Sequence, residues 1–246
     1  MKFKVWRSAR NGKDGRYEAY EVDPRPGMSV LDALFSIRDE HDDSLSFRYS
    51  CRGAVCGSCA MTINREPRLA CRTQVSQLAK AKSLNLRLFG PLEKQIGWDR
   101  TAEVLIEPLP NMPVLKDLVV DMTRFFEFYN KIRPWMDLPD VKGLSKMTPE
   151  EVSKIEKYTN CILCAACFGA CPVNNRNPDY LGPAALAWSL RFVDDSRTTD
   201  KKERLSLVAG KNGAPECEFI YNCVKVCPKA VAPAGAIRTL KDHLKT

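Results

Sequence analysis

The sequence lacks the hydrophobic run that a membrane-spanning helix needs. Crossing a bilayer takes about 20 consecutive apolar residues, and the most apolar stretch of this 246-residue chain, residues 181–190, is much shorter. Residues 1–10 have no apolar core of the kind that secretory signals carry, and we expect neither a secretory signal nor a transit peptide. We therefore expect no transmembrane segment in the chain itself.

The sequence also lacks the fingerprints of nucleotide binding and of hydrolytic catalysis. It contains no Gly-x-Gly-x-x-Gly turn and no Gly-x4-Gly-Lys-Ser/Thr loop, and its two histidines belong to no recognisable catalytic triad. The net charge of +8 is not gathered into a Lys/Arg block, which argues against a nucleic-acid partner. With no evident place to make or break a substrate bond, the chain is expected to act beside partner proteins.

Cysteine, in contrast, is abundant and grouped. The chain has 11 cysteines, an odd number, and they fall into three groups along the sequence. An odd count without a secretion signal argues against a framework of disulfides. The grouping indicates metal ligands.

The first group has the spacing of a plant-type [2Fe-2S] site. Its members follow the pattern Cys-x4-Cys-x2-Cys-x11-Cys and are Cys51, Cys56, Cys59 and Cys71. The chain must wrap closely around a cluster and point N–H groups at its sulphurs, and the small residues Gly53, Gly57 and Ser58 permit this. Structural zinc is the alternative, but zinc sites favour paired Cys-x2-Cys motifs and only one occurs here.

The other two groups repeat the spacing of bacterial ferredoxins, Cys-x2-Cys-x2-Cys-x3-Cys-Pro. The first of these runs consists of Cys161, Cys164, Cys167, Cys171 and Pro172. The second consists of Cys217, Ile220, Cys223, Cys227 and Pro228, with isoleucine in the second ligand position. Two matching runs that both end in Cys-Pro argue strongly against a chance or zinc-binding cluster.

In such paired runs the fourth cysteine serves the other cluster. This rule predicts a [4Fe-4S] site of four thiolates, made by Cys161, Cys164, Cys167 and Cys227. It leaves three thiolates for the other site, made by Cys171, Cys217 and Cys223. Three thiolates beside an apolar isoleucine suit a [3Fe-4S] cluster, although a fourth iron held by water or hydroxide is an alternative that spacing does not exclude.

The pattern of elements predicts two domains. Strands are predicted over residues 3–7, 17–22, 60–63, 84–88 and 103–106, with one helix over residues 31–38 capped by Ser29. The prolines between residues 107 and 113 mark a boundary. We expect an α+β, β-grasp, plant-type ferredoxin domain over residues 1–109 and an all-α, bacterial-ferredoxin-like domain over residues 110–246.

Helices are predicted for the whole of the second domain, with cysteine loops between them and no strands. Apolar residues recur at three- and four-residue intervals over residues 115–132. Thr148, Pro149 and Glu151 have the pattern of a capped helix start, and this helix is expected to run to Cys161. Two further helices are predicted over residues 183–193 and 233–244.

The order [2Fe-2S], [4Fe-4S], [3Fe-4S] resembles the iron–sulphur subunit of succinate:quinone oxidoreductases and quinol:fumarate reductases. The resemblance spans nearly the whole chain and is carried by residues 68–73, 116–122, 161–164 and 222–229, besides the cysteines. It implies an electron-transfer subunit with no substrate site of its own. It also implies an FAD-bearing flavoprotein subunit, a quinone, and a membrane anchor that holds the chain peripherally on the cytoplasmic face of the cell (inner) membrane.

The resemblance implies that Pro172 and Ile220 lie near the quinone. It breaks at Arg176 and Glu218, where some family members have tryptophan and histidine. This departure leaves open a soluble oxidoreductase subunit that delivers electrons to a disulfide or another carrier. A zinc-dependent interaction module, possible on the Cys-x2-Cys pairs and the basic pI alone, is the remaining alternative.

Overall fold

The chain begins with strands and ends with helices. The computed structural model describes residues 1–78, 82–136 and 146–245. The strands are β1 (Lys2–Arg7), β2 (Arg16–Glu21), β3 (Ala60–Ile63), β4 (Glu66–Leu69), β5 (Glu103–Glu107), β6 (Val114–Lys116) and β7 (Val119–Val120). The α-helices are α1 (Val30–Glu40), α2 (Val75–Leu78), α3 (Thr123–Lys131), α4 (Pro149–Thr159), α5 (Ala166–Gly169), α6 (Pro172–Arg176), α7 (Gly182–Val193), α8 (Lys201–Ala209), α9 (Asn222–Lys225) and α10 (Pro233–His243). Across these described ranges, none of the helices combines the length and the hydropathy needed to cross a bilayer.

Five strands form one mixed sheet in the order β2-β1-β5-β3-β4. β1 and β5 run parallel, and the other neighbours in this sheet are antiparallel. Phe3 and Val5 alternate with more exposed residues along β1 and are fully buried, as a half-buried strand requires. They share one hydrophobic core with the buried face of α1.

The predicted cap of α1 is confirmed. The Ser29 hydroxyl accepts the N–H of Asp32 (3.2 Å), and the Asp32 carboxylate accepts the N–H of Ser29 (2.9 Å). This reciprocal pair satisfies two of the N–H groups that every helix start leaves without a partner. The loop that follows α1 carries Cys51, Cys56 and Cys59 and leads into β3, and Cys71, the fourth member of the first group, follows β4.

Four of the five predicted strands are confirmed by β1, β2, β3 and β5, and the fifth, over residues 84–88, is wrong. There the Leu84 N–H donates to the Glu66 carboxylate (2.7 Å) and the Arg87 N–H donates to Asn222 Oδ1 (3.0 Å). Distant side chains, not a neighbouring strand, satisfy this backbone. β4 was not predicted. The turn that joins it to β3 consists of Asn64 and Arg65, with φ of 49° and 67°, and it lacks the glycine typical of such hairpins.

The single helix predicted over residues 115–132 is wrong in its first half. Residues 114–120 form the antiparallel β6–β7 hairpin, and α3 begins only at Thr123. Asp117 has φ of 48° in the hairpin turn, and its carboxylate accepts N–H groups from Ser8 (2.9 Å), Ser46 (2.9 Å) and the Arg7 guanidinium (3.1 Å). These long-range bonds select the hairpin over the locally favoured helix. The segment after residue 109 is therefore not all helical.

The three other predicted helices are confirmed as α4, α7 and α10. Thr148 caps α4 through a reciprocal pair with Glu151, although the helix ends at Thr159 instead of reaching Cys161. α7 is buried on nearly all sides and contacts α3, α4, α8 and α10. Beyond Val120 the described residues contain no strand. The later cysteines lie in the loops and one-turn helices around α7 and α10.

Candidate metal centres

The first site, Cys51, Cys56, Cys59 and Cys71, is built on the loop between α1 and β3 and on the end of β4. Left-handed backbone at Arg52, Ala54 and Gly57 (φ of 53°, 57° and 75°) curls the loop inward. As a result the Cys51 sulphur accepts three backbone N–H groups, from residues 53, 55 and 56, at 3.3–3.4 Å. Amide donors of this kind stabilise a negatively charged sulphur.

The four thiols of the first site differ in environment. Cys51 and Cys56 are exposed, whereas Cys59 is buried and its sulphur accepts the Cys71 N–H at 3.5 Å. Hydrogen bonds from Ser58 and from the Cys51 backbone lower the pKa of Cys56 to about 6, while burial raises the pKa of Cys59 to about 12. The site thus has an exposed half, where backbone N–H groups surround the Cys51 sulphur, and a buried half, where Cys59 lies in the hydrophobic core.

The second site is one cavity that brings together Cys161, Cys164, Cys167 and Cys227. Its other lining includes Ala184, Ala187 and Val231, and the Val231 N–H donates to the Cys227 sulphur (3.3 Å). Burial raises the pKa of Cys164 to about 11, and burial also raises the pKa of Cys167 well above its usual value. Four thiols in an apolar cavity fit an iron–sulphur cube, because iron would compensate the thiolate charge that the cavity disfavours.

The third site brings together Cys171, Cys217 and Cys223 in a separate cavity. Ile220 and Pro172 line the same cavity, as does Tyr180. Burial raises the pKa of Cys171 to about 11 and that of Cys223 to about 12. The cavity offers three thiols, and an isoleucine lines it at the position that the second ligand takes in the other run.

The backbone shows that the two cysteine runs are structural repeats. Leu163 and Phe219 are both left-handed, with φ of 51° and 52°, and Ala165 and Tyr221 are as well, with φ of 61° and 66°. One-turn helices, α5 and α9, follow immediately and contact each other. Ile220 therefore corresponds to Cys164 in conformation as well as in spacing.

The three sites follow one another in space. Gly57 of the first site lies directly on the second, because a Cβ added to it would stand 2.8 Å from Cys164 Cβ and 2.9 Å from the Ile162 carbonyl oxygen. The second and third sites share the α5–α9 contact and the segment from Cys167 to Cys171. Neighbouring sites are thus separated by single backbone segments.

Two asparagines tie the β-rich part to the helical sites. The Asn111 amide donates to the carbonyls of Phe168, Gly169 and Cys171 at 2.9–3.1 Å. The Asn222 amide donates to the carbonyls of Arg87 (2.8 Å) and Ala170 (3.0 Å). These bonds fix the first site relative to the other two. Asn111 was not singled out from the sequence, and Asn222 was noted only as part of the 222–229 stretch that carries the resemblance, with no role assigned.

Arg176 and Glu218, the two departures from the family pattern, form a salt bridge with each other beside the third site. Their side chains are 55% and 47% exposed. The pair lies on the surface, whereas Tyr180 reaches the third site from inside and is fully buried. Tyr180 was not predicted, because a lone tyrosine after a cysteine run has no distinctive spacing.

Comparisons with known proteins identify two iron–sulphur domains in the chain. Residues 2–127 match the family model of a 2Fe-2S iron-sulfur cluster binding domain, and residues 153–228 match that of a 4Fe-4S dicluster domain. The fumarate reductase iron-sulfur subunit of Mycobacterium tuberculosis is 39% identical over 92% of this chain and 84% of that protein. The mitochondrial succinate dehydrogenase [ubiquinone] iron-sulfur subunit 1 of rice, Oryza sativa, is 40% identical over 90% of this chain and 73% of that protein.

A solved structure agrees over the full length. A chain of the Mycobacterium smegmatis Sdh1 complex in the apo form superposes with a TM-score of 0.82 and 25% identity, over 99% of this chain and 95% of that chain. The similarity therefore includes both the β-rich part and the helical part. Both matched family models describe iron–sulphur domains, and neither describes a zinc module.

Proposed function

Because the chain belongs to the family of iron–sulphur subunits of succinate dehydrogenases and fumarate reductases, we propose that it passes single electrons between an FAD-bearing flavoprotein subunit and a quinone at a membrane anchor. The observation that carries this proposal is the arrangement of all 11 cysteines in three successive sites. Bound clusters would exchange one electron at a time without breaking a substrate bond. The chain's part is to hold them close together and to enclose the second and third of them in cavities.

We assign the ligands as the spacing predicts. The first site would hold a [2Fe-2S] cluster on Cys51, Cys56, Cys59 and Cys71. The second would hold a [4Fe-4S] cluster on Cys161, Cys164, Cys167 and Cys227. The third would hold a [3Fe-4S] cluster on Cys171, Cys217 and Cys223. The shared cavities of the second and third sets support this division.

The first site would face the flavoprotein. Cys51 and Cys56 are exposed, and Val55 between them is 65% exposed. Tyr49 is also exposed beside this loop. Arg52 is exposed as well, and its guanidinium lies over the Tyr49 ring. A surface that combines apolar, aromatic and arginine side chains around exposed ligands is suited to burial against another protein, which would also keep water from the cluster.

The third site would face the quinone and the anchor. Pro172 and Ile220 line its cavity, so they are placed to contact a molecule that approaches this end. Arg176 and Glu218 are paired with each other, and we expect the anchor subunit to supply the contacts to the quinone head group. Held in this way, the chain would lie peripherally on the cytoplasmic face of the membrane.

For the architecture we propose a β-grasp, plant-type ferredoxin domain up to about residue 109 and a bacterial-ferredoxin-like domain after it. The five-stranded mixed sheet, which packs against α1, supports the division. Its last strand in sequence, β5, ends at Glu107. The β6–β7 hairpin follows the boundary in sequence but is bonded to Arg7, Ser8 and Ser46 through Asp117. We expect the hairpin to unfold with the first domain.

The test is to purify the chain with its bound partners and to count clusters and activities together. Iron analysis and electron paramagnetic resonance (EPR) should give one two-iron, one four-iron and one three-iron centre, the last with the near-isotropic signal of its oxidised form. Succinate oxidation and fumarate reduction should both couple to a quinone of suitable potential. Two four-iron centres would overturn the assignment of the third site, and electron delivery to a disulfide but to no quinone would overturn the proposed acceptor.

A further inference from the structure

A cavity of about 430 Å³ lies on the outer face of the five-stranded sheet, and none of its described lining residues is a cysteine. Val5 and Ile106 are paired across β1 and β5 and are buried in the core shared with α1. Because side chains alternate along a strand, the next residues, Trp6 and Glu107, point to the opposite face, where both line the cavity. The volume is within the range of about 300–1,000 Å³ that small-molecule sites occupy.

Glu107 uses only one of its two carboxylate oxygens. Its Oε1 accepts the Tyr17 hydroxyl (2.6 Å) and the Arg65 guanidinium (2.9 Å). Arg65 also donates to the Lys94 carbonyl (2.6 Å), which holds the segment that covers the cavity. The residue is only 9% exposed, and its Oε2 is buried without a hydrogen-bond partner among the described residues. An acceptor is thus left over at the cavity wall.

Two further polar atoms of the cavity wall are buried without a partner. One is the indole N–H of Trp6, whose ring stands edge-to-face with Tyr17 at 5.0 Å between centroids. The other is Asn111 Oδ1. The Asn111 amide nitrogen donates to three carbonyls of the segment 168–171, which fixes the orientation of the amide and turns its oxygen away from them.

This concentration of unpartnered atoms distinguishes the cavity. Buried polar atoms in folded proteins are nearly always hydrogen-bonded, because an unmade bond is costly. Seven buried side-chain atoms lack a partner in the part of the chain that the structure describes, and three of them line this one cavity. A second cavity of similar volume, about 370 Å³ and lined by Arg68, Arg72 and Lys225, has none among its described lining residues.

The cavity wall defines the chemistry of an occupant. The two oxygens need hydrogen-bond donors, and the indole N–H needs an acceptor. The charge of Glu107 is already compensated by Arg65, so a cationic occupant would bring an uncompensated charge into a mostly apolar cavity. Leu92, Leu109 and Met112 supply apolar walls. A neutral, planar ring with an N–H group beside a carbonyl meets all of these requirements.

We propose that this cavity binds a small, neutral heteroaromatic amide, whose N–H donates to Glu107 Oε2 and whose carbonyl accepts the Trp6 indole N–H. Asn111 Oδ1 takes a second donor from the ligand, and the ring packs between the aromatic and apolar walls. The inference goes beyond electron transfer and does not depend on which clusters the three cysteine sites hold.

The test is calorimetric titration of the purified complex with quinazolinone, a planar bicyclic amide, and with its N-methyl derivative. Burial raises the pKa of Glu107, so the titration is done at mildly alkaline pH, where the carboxylate is ionised and accepts. Quinazolinone should bind with one site per chain. The methylated compound should bind at least about tenfold more weakly, because it cannot donate to the charged oxygen.

Trp6→Phe tests the acceptor half of the contact. Phenylalanine keeps an aromatic ring but lacks the indole N–H, so quinazolinone should bind up to about tenfold more weakly. Trp98→Phe is the matched control, because the Trp98 indole N–H already donates to the Glu103 carbonyl (3.1 Å) and Trp98 does not line the cavity. It should leave the affinity unchanged. The EPR signals of the clusters check that each variant complex has assembled.

Several results would overturn the proposal. These are the absence of saturable binding to the wild type, equal affinity for the methylated compound, or an affinity that Trp6→Phe leaves unchanged or lowers no more than Trp98→Phe does. A crystal structure of the complex with the compound, in which ordered water alone bonds to the three atoms, would do the same. Because the two compounds are compared on the wild type, the test stands even if Trp6→Phe does not fold. None of these results bears on the assignment of the clusters.

Discussion

The second and third sites have the same backbone conformation in their cysteine runs but differ in their side chains. One residue after the first cysteine stands Ile162 in the second site and Glu218 in the third. The second site takes Cys227 and the third site takes Cys171 from the end of a cysteine run. Five residues after these cysteines, the chain has Ala232 and Arg176, respectively. The surface salt bridge of the third site therefore corresponds to two apolar residues, Ala232 and Ile162, in the second site.

The second and third sites also differ in what lies next to them. Cys164 touches Gly57 of the first site, so the second site has another site on one side. Ile220 takes the corresponding position in the third site, and the described residues that line that cavity all come from Cys171 to Ile237, outside the cysteine loop of the first site. The repeated backbone thus forms two similar cysteine sites. A few side chains distinguish the site in the middle of the series of three from the site at its end. Four predictions test this difference, from the largest expected effect to the smallest.

Ile220→Cys should remove the difference in ligand number. The new thiol stands where Cys164 stands in the repeat, so the third site should take up a fourth iron and the near-isotropic EPR signal should disappear. The midpoint of the site should fall, because a fourth thiolate adds negative charge. Ile220→Val, which stays apolar, should keep the signal. Full retention of the three-iron signal in Ile220→Cys would contradict the correspondence of the two positions.

Cys164→Ala tests the same difference from the other side. With three thiols left, the second site should release one iron and acquire a three-iron signal of its own, which would roughly double the total amplitude when occupancy is complete. The [2Fe-2S] signal of the first site serves as the internal standard. A variant with unchanged iron content would show that Cys164 is not a ligand.

Gly57→Ala should disturb the contact that distinguishes the second site. Gly57 has φ of +75°, and an added Cβ would press on Cys164 and on the Ile162 carbonyl. Left-handed strain and overpacking together cost about 2–4 kcal/mol. In a chain of this size that corresponds to losing the visible cluster absorption about 5–15 °C earlier on heating.

Gly53→Ala, in the same loop, is the control for Gly57→Ala. Gly53 has no left-handed φ, and the nearest atom to its added Cβ is a carbonyl oxygen at an ordinary 3.6 Å. Its temperature of cluster loss should change little. Equal losses in the two variants would mean that loop flexibility, not the contact with the second site, explains the effect.

The smallest effect is expected from the surface pair of the third site. Arg176→Gln or Glu218→Gln should lower stability by less than about 1 kcal/mol, because exposed ion pairs contribute little and are screened by salt. Denaturant titrations of both single variants and the double variant would measure the coupling. A coupling well above that value, or one insensitive to salt, would show that the pair is structural.

The cysteines and the helix caps were the most predictable parts of the molecule. Their signals are local: fixed spacing for the sites, and Ser29 or Thr148 followed by an acid for α1 and α4. The grouping of Cys227 with Cys161, far apart in sequence, agrees with the cross-ligation rule, which is a rule of topology. Local patterns in the sequence are enough for the caps and for the cysteine spacing, and the cross-ligation rule supplies the long-range grouping.

What the sequence did not predict depends on distant partners. The apolar period over residues 115–132 favours a helix, but Asp117 bonds to residues more than 70 positions earlier and produces a hairpin. Residues 84–88 look like a strand but find side-chain partners in Glu66 and Asn222 instead. Tyr180 belongs to the same class, because only the folded chain brings it into the cavity of the third site.

Asn222 has a consequence for biosynthesis. It stands next to Cys223, and it is the partner of both the N–H and the carbonyl of Arg87. On the ribosome, Arg87 emerges long before residue 222 exists, so these two hydrogen bonds of the Arg87 backbone can form only after the last cysteine run has been made. The contacts of Asn111 with residues 168–171 involve residues synthesised earlier. We therefore expect the β-rich part to meet the first cysteine run before it is locked to the second.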